Sequence, residues 1–342
     1  MPTVTSVLTD YCALTKSEQK TVRAILLSSA FGGSNLRGYI DEERFVNGRV
    51  CPHCGATHVV RNGKHPNGTQ RYKCMDCGKR FVGTTNSIAF GSRKDITVWE
   101  NYIHCMLLGC SLSTTADFCG ISINTAFIWR HKILDVLKEL AEKETLDGIV
   151  EADETFFPVS YKGNHKAFTM PRAPRKHGLK VKKRGLSNEQ VCVASAVNRS
   201  GHSIAKVSNL ARIKGLGLQA VYGGRIAPGT NIITDSASAY KKFAADNGLV
   251  LHQIKSGKHI INGIYHIQHI NSYHSHLKTF MKEFRGVSTK YLNNYVIWYD
   301  FVKYQRGSYD DKRDRLMSKA LSTIFTERNI DINRRPTLPL LA

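Results

Sequence analysis

The chain has 342 residues, and its 49 Lys and Arg against 27 Asp and Glu leave a formal charge of +22. That length allows two or three domains with at least one sizeable core. A charge this large costs self-repulsion unless a polyanion is the usual partner, and nucleic acid is the leading candidate. No apolar run approaches the roughly 20 residues of a membrane helix, and no charged start leads into an apolar run with a small-residue cleavage site. A soluble, cytoplasmic protein without membrane attachment is therefore expected. Nine cysteines in such a chain, four of them in two close pairs, point to metal binding rather than a disulfide framework. The other five, Cys12, Cys105, Cys110, Cys119 and Cys192, are expected to be small core residues.

Residues 1–46 carry one predicted helix, from near Ser17 to Ser29. Thr15 and Glu18 are spaced as a capping box, and Val22, Ile25, Leu26 and Leu27 form one apolar face. Gly32-Gly33 ends the helix. Residues 47–90 follow with Cys51-Pro-His-Cys54 and, nineteen residues on, Cys74-Met-Asp-Cys77. Two such knuckles at this separation fit a tetrahedral Zn²⁺ held by four thiolates, and Gly63, Asn67 and Gly68 suit the turns of a small β ribbon. A shell of four thiolates is closed to substrate, so this zinc should hold the fold rather than do chemistry. His53 and His65 should be exposed loop residues. Arg61, Lys64, Arg71, Lys73, Lys79 and Arg80 make the ribbon a phosphate-contacting surface.

Over 91–145 the period becomes helical. Trp99, Ile103, Met106, Leu107 and Cys110 share one helix face, Thr114 to Phe118 form a short second helix, and Asn124 to Leu137 a third. The turn Phe118-Cys119-Gly120-Ile121-Ser122 between the last two carries a glycine, with Ser122 placed to cap the next helix. This is the pattern of a helix-turn-helix. Its second helix would enter the major groove with Asn124, Arg130 and Lys132, although an ordinary three-helix packing module shares the pattern.

The stretch Gly148 to Phe157 reads as a buried strand with an acidic pair in its middle. A buried carboxylate is costly unless something binds it. Asp153 is thus a candidate metal ligand, the alternative being a carboxylate salt-bridged at a strand edge. Between Thr155 and Asn188 there is no acidic residue and there are nine fixed positive charges. Lys176, Lys180, Lys182, Lys183 and Arg184 belong to this Pro- and Gly-containing loop of 158–188, expected to be a phosphate-binding arm rather than only a solvated face. Val191 to Val197 and His202 to Val207 then read as a hairpin turning at Asn198-Arg199-Ser200-Gly201. A short β-branched strand, Thr230 to Asp235, a helix over Ser236 to Asn247 and a strand over Leu249 to Ile254 follow.

This order of three strands, helix, strand, helix, strand and helix is that of a ribonuclease H-like core with a mixed five-stranded sheet, spanning 146–305. In that fold the end of the fourth strand lies beside the middle of the first, bringing Asp235 next to Asp153. Two carboxylates in one site repel unless a divalent cation holds them, and their hard oxygens suit Mg²⁺ or Mn²⁺. The late helix that would supply a third ligand has no carboxylate from Asn247 to Glu283. Asn271 offers a carbonyl oxygen, and Lys278, two turns on, shares its face. Glu283 falls roughly 18 Å further along the axis and about 120° round, a poor substitute. His274, one turn from Asn271, is a possible ligand or phosphate contact, though a soft choice for Mg²⁺.

Together the two cysteine pairs with Arg71-Tyr-Lys-Cys and Gly78-Lys-Arg-Phe, Val150-Glu-Ala-Asp153-Glu-Thr, Arg184-Gly-Leu-Ser-Asn-Glu-Gln-Val, Thr234-Asp235 and Asn271 through Lys278 resemble a bacterial insertion-sequence transposase. The group is the one with an N-terminal zinc ribbon and a DDE-type core, and the resemblance spans 51 to about 300. Most members of that class carry Glu as the third acid; this chain resembles the subset with Asn there, giving Asp153, Asp235, Asn271 and Lys278. The resemblance implies metal-dependent phosphodiester hydrolysis and strand transfer at the terminal inverted repeats of the protein's own element. It also implies double-stranded DNA, both element ends and target, as partner, and a homodimer or higher oligomer associated with the nucleoid. The alternatives are an inactive or domesticated copy acting as a DNA-binding regulator, and a nuclease or junction resolvase on the same core. The helix Tyr291 to Tyr304 should pack the core's outer face, with Tyr295 and Trp298 as core residues. The tail of 306–342 carries no further pattern.

Overall fold

The computed structural model describes residues 36–163, 187, 189–255 and 263–336, with scattered positions before residue 36. The chain divides into two compact units, Met1–Val136 with Gly307–Arg328 and Leu137–Arg306 with Asn329–Ala342. The capping box is present: the Thr15 N–H donates to Glu18 Oε2 at 2.9 Å and the Glu18 N–H to Thr15 Oγ1 at 3.3 Å. Most of the helix it would open lies outside the described residues, as do Cys12 and the loop positions 164–186 and 188.

In the first unit helix α1 (Leu36–Arg44) precedes a three-stranded antiparallel ribbon of β1 (Val59–Lys64), β2 (Gln70–Cys74) and β3 (Arg80–Val82). Its core is small: Cys51, Val59, Tyr72, Cys74 and Phe81, with Phe45 packed against them. Helices α2 (Ile96–Leu107), α3 (Leu112–Cys119) and α4 (Ile123–Ala141) follow. The first two start on side-chain caps, Asp95 accepting from the Thr97 N–H and Ser111 from that of Thr114. Trp99 and Trp129 stack at 3.5 Å between α2 and α4, and Tyr102 donates to the Ala126 carbonyl. The tail, which shows no pattern in sequence, returns here as the helix Tyr309–Ser322, opened by a Ser308–Asp311 capping box. Its Tyr309 hydroxyl bonds His104 Nδ1 at 2.8 Å.

The second unit is built on a mixed sheet of β4 (Ile149–Pro158), β5 (Gln190–Asn198), β6 (Ser203–Leu210), β7 (Asn231–Thr234) and β8 (Val250–Gln253), in the order β6-β5-β4-β7-β8. The first three strands are antiparallel, β5 and β6 turning through Asn198 to Gly201 as expected, while β7 runs parallel to β4 and β8 parallel to β7. Strand side chains alternate between faces, which sorts β4 into two sets. Val150, Ala152 and Phe156 join Cys192, Leu218, Tyr222 and Tyr240 in a core beneath α5 (Gly215–Tyr222) and α6 (Ala239–Asp246). Glu151, Asp153 and Thr155 point the other way, toward α7 (Gln268–Glu283), which packs on β4 and β5. Helix α8 (Thr289–Tyr299) lies against β6 and buries Tyr295 and Trp298. It runs on into a π turn, Asp300–Tyr304. Burial pushes the Asp300 carboxyl up to about 7, although Tyr273 and Ser203 donate to it at 2.6 and 3.0 Å. Among the described residues no helix is long and apolar enough to cross a membrane.

Candidate functional site

Asp153 sits in the middle of β4 with its side chain 21% exposed. Strand β7 pairs in parallel with β4 as Ile149↔Asn231, Val150↔Ile232 and Glu151↔Ile233. Carried two residues on, that register sets Asp235, the residue just past β7, level with Asp153. Asp235 turns its Oδ1 to accept the Ala237 N–H at 2.9 Å, while Gln253 donates to its backbone carbonyl. Burial pushes the Asp153 carboxyl up to about 6; the Asp235 charge adds to the rise, while the Glu154 N–H and Lys278 offset part of it.

An open cleft on this face is lined by Asp153 and Thr155 from β4, Gln190 from β5, and Asn271, His274 and Lys278 from α7. Asn271 and Lys278 are exposed in it, and His274 is buried with Nδ1 3.8 Å from Asp153 Oδ2. Burial pushes the His274 imidazole down to about 4, and the Lys278 charge adds to this. The helix thus presents a neutral ring to the carboxylate. Asp235 does not line this cleft, and Glu283 is exposed at the far end of α7. Glu154 faces the opposite side of the sheet, where Tyr240 donates to it at 2.6 Å, and burial pushes it up to about 7.

The residues fit a hydrated hard cation. Thr155 Oγ1, Ser195 Oγ and His274 Nε2 are buried polar atoms without a hydrogen-bond partner among the described residues. Thr155 shares the face of Asp153, Ser195 pairs with Asp153 across β5, and His274 approaches it from α7. These atoms are closed to solvent, so the fit rests on the oxygen donors of Asp153 and Asn271, which line one open cleft and are of the hard kind that Mg²⁺ and Mn²⁺ take.

Glu151, two residues before Asp153 on the same face, is a residue that pattern reading missed. It is 1% exposed and meets the start of α7: Oε2 accepts the backbone N–H groups of His269 at 2.8 Å and Ile270 at 3.1 Å. Its Oε1 meets His269 Nδ1 at 2.8 Å, Arg199 Nη2 at 3.0 Å and His266 Nδ1 at 3.4 Å. The spacing of Glu151 and Asp153 puts both on one face and was the available signal.

In the ribbon, Cys51, Cys54, Cys74 and Cys77 converge, with Sγ atoms 3.7 Å apart in the pairs Cys51–Cys77 and Cys54–Cys74. A tetrahedron of Zn–S bonds near 2.3 Å has edges of about 3.8 Å, so the four thiols are placed to hold Zn²⁺. Both knuckles turn alike: Gly55 donates to the Cys51 carbonyl and Gly78 to that of Cys74, at φ of 78° and 69°, a region that favours glycine. Backbone N–H groups of Cys77 and then Asp76 hold the Cys74 thiol down at about 7. His53 and His65 are exposed, outside the thiol quartet. The side of β2 away from Tyr72 carries Arg71 and Lys73, and Lys73 stands directly across from Arg80 on β3.

Helices α3 and α4 meet at Gly120, which has φ 59° and ψ 43°, and the Thr125 N–H donates to Ser122 Oγ at 3.1 Å. Asn124 is exposed at the start of α4, while Lys132 is half-buried. Arg130 corrects the expectation of a groove contact: it is buried and donates to the Cys110 carbonyl at 3.2 Å. Helical spacing from Ala126 and Ile133 places it on the packed side of α4, where its charge serves the fold. Lys176, Lys180, Lys182, Lys183 and Arg184 lie outside the described residues.

Residues 145–301 match the ISXO2-like transposase domain, and residues 49–78 match the InsA N-terminal domain. An uncharacterised protein in transposable element ISH50 of Halobacterium salinarum is 26% identical over 260 residues, covering 74% of this chain and 84% of that relative. Protein InsA of insertion element iso-IS1N from Shigella dysenteriae is 32% identical over 75 residues, 22% of this chain and 79% of the relative. The crystal structure of a pre-cleavage Mos1 transpososome covers 65% of this chain and 78% of that one at 10% identity, with a TM-score of only 0.21. From the two domain matches and the two insertion-element relatives, the chain belongs to the insertion-element transposases, with an InsA-type zinc ribbon ahead of an ISXO2-like transposase domain.

Proposed function

We propose that the second unit is a ribonuclease H-like nuclease core that cleaves and joins phosphodiesters at the ends of the protein's own element, using Asp153, Asp235 and Asn271 as ligands for Mg²⁺ or Mn²⁺. The observation that carries this reading is the parallel β4–β7 register, which carried on two residues sets Asp235 level with Asp153, with Asn271 across the cleft from Asp153. When bound, divalent ions at such a site activate the attacking water or 3′-hydroxyl and stabilise the leaving oxygen. The two carboxylates would hold the cations, and the Asn271 amide oxygen would add a neutral ligand. Lys278, exposed in the same cleft, is placed to bind a phosphate oxygen of the DNA.

The zinc ribbon and the α3–α4 pair are assigned to recognition of double-stranded DNA at the terminal repeats. Support comes from the Lys73–Arg80 cross-strand pair. Like charges directly opposite destabilise a sheet until a polyanion neutralises them. Asn124, exposed at the start of α4, is assigned to a base or backbone contact, and half-buried Lys132 to a phosphate. The basic positions Lys176, Lys180, Lys182, Lys183 and Arg184 are assigned to phosphates near the cut. Two element ends must be joined, so the working form is taken to be at least a homodimer.

The test is Mg²⁺- or Mn²⁺-dependent cleavage of DNA carrying the element's ends by wild type, Asp153→Asn, Asp235→Asn, Asn271→Ala and Glu283→Ala. The first three substitutions should each abolish cutting and the last should spare it. An Asp235→Asn protein that cuts as well as wild type would rule out the site. A wild-type protein that binds the ends without cutting would instead be an inactive copy acting as a regulator, the reading that the Asn at 271 keeps open.

A further inference from the structure

Glu151 does something that neither the domain match nor the metal-site reading requires. It is a carboxylate with 1% exposure, on the strand that carries Asp153, and it accepts hydrogen bonds from the backbone of another element, the first turn of α7. The first N–H groups of a helix have no partner within it, and the helix dipole favours an anion there. Ile267, at the N-cap position of α7, makes no side-chain hydrogen bond, and His266 Nδ1 accepts only the Gln268 N–H, at 3.3 Å, which leaves the His269 and Ile270 N–H groups to Glu151. Glu151 therefore caps the helix from across the cleft. The second oxygen is held by the Arg199 guanidinium, which leaves the end of the β5 strand and also faces the His266 and His269 rings.

We propose that Glu151, held by Arg199, is a positioning residue that sets α7 against β4 and so places Asn271 at a working distance from Asp153. The clamp bonds the strand two residues before Asp153 and the helix at the two residues just before Asn271. Both proposed ligands are thus a single short step from one fixed joint, and a slip of the helix along the strand would separate them. Glu151, His266 and His269 also lie close enough together to share a metal ion. The cation already there is the Arg199 guanidinium, which approaches His266 Nε2 at 2.8 Å, His269 Nδ1 at 3.0 Å and Glu151 at 3.0 Å. The joint is an internal salt bridge rather than a second metal centre.

The inference rests on Asp153 and Asn271 being ligands, and its test keeps the two claims apart. Binding of Mn²⁺ to the zinc-loaded full chain is followed by the paramagnetic resonance of the free ion, for wild type, Asp153→Asn, Glu151→Gln and Glu151→Ala. Amide hydrogen exchange at His269 and Ile270 is measured on the same proteins. Glu151→Ala should weaken Mn²⁺ binding by about 10-fold or more, the usual effect of losing an outer-shell partner, and should strip protection from both amides. Glu151→Gln keeps an acceptor for the two N–H groups and should fall between Ala and wild type in both measurements. Should Glu151→Ala fail to fold, Glu151→Gln decides. A folded variant of either kind with wild-type Mn²⁺ affinity overturns the clamp, provided Asp153→Asn has lost affinity. If Asp153→Asn itself binds Mn²⁺ as wild type does, the metal-site reading fails, and the clamp as a ligand-positioning device fails with it.

Discussion

The parallel register Ile149↔Asn231 to Glu151↔Ile233, carried on two residues, sets Asp235, just past the end of β7, level with Asp153 on β4. Neither carboxylate needs the other for the fold. Burial pushes the Asp153 carboxyl up to about 6, and the Asp235 charge adds to that rise. In the absence of a cation this arrangement costs stability at neutral pH, which a divalent ion at the proposed site would recover.

A pH dependence follows. The folded Asp153 carboxyl holds its proton up to about 6 against a usual 3.8, so between those values the folded state binds more protons than the unfolded one. Stability contributed by this group is present below pH 4 and is lost as pH rises through 6, by roughly 3 kcal/mol. His274, pushed down to about 4, acts in the opposite sense, being neutral when folded and protonated when unfolded over pH 4–6.5. Comparing wild type with Asp153→Asn isolates the carboxyl. Without added Mg²⁺ the variant should gain stability relative to wild type as pH rises from 4 to 7 in denaturant titrations, and saturating Mg²⁺ should narrow the gap. Mn²⁺ affinity of the wild type should rise over the same range, since only the ionised carboxyl holds the ion.

The ribbon should depend on its metal. Its core has five buried residues, two of them zinc-site cysteines, too few to fold a unit of this size unaided. Structural zinc sites supply on the order of 10 kcal/mol or more. Chelation, or Cys51→Ser, should therefore abolish exchange protection across β1–β3 while leaving that of β4–β6 in place. A ribbon that keeps its protection without zinc would contradict the assignment.

Lys73 and Arg80 face each other across β2 and β3. Lys73→Ala should leave the free protein as stable as before or more so, because a like-charge pair is relieved. It should also weaken binding to DNA of any sequence and lower the slope of log affinity against log salt by about 1. Unchanged salt dependence in a filter-binding or gel-shift titration would remove the ribbon's basic face from the DNA contact.

Arg130 and Asn124 should separate cleanly. Arg130→Ala leaves the half-buried Cys110 carbonyl without its donor and should cost about 1 kcal/mol of stability, with DNA sequence preference unchanged in the folded protein. Asn124→Ala, at an exposed position, should leave stability within about 0.5 kcal/mol and change affinity for the element's ends. Equal effects of both on preference would restore Arg130 to the DNA surface.

Much of this molecule is written locally. The paired knuckles at Cys51–Cys54 and Cys74–Cys77 are legible because metal geometry demands those thiols at that spacing, and the hairpin at Asn198–Gly201 because turns select residues. The strand order followed from the succession of elements, and with it the approach of Asp235 to Asp153. Arg130 and Glu151 were not legible, for one physical reason. A charged residue on a periodic element reads as a solvent or ligand contact, and only packing shows whether a carbonyl such as that of Cys110, or a helix end such as that of α7, waits for it. Composition and spacing determined which residues could bind zinc and which carboxylates could meet. Tertiary structure alone decided which buried charge supports the fold and which carboxylate holds the helix that carries Asn271, because those partners lie more than a hundred residues apart in the chain for Glu151 and twenty for Arg130.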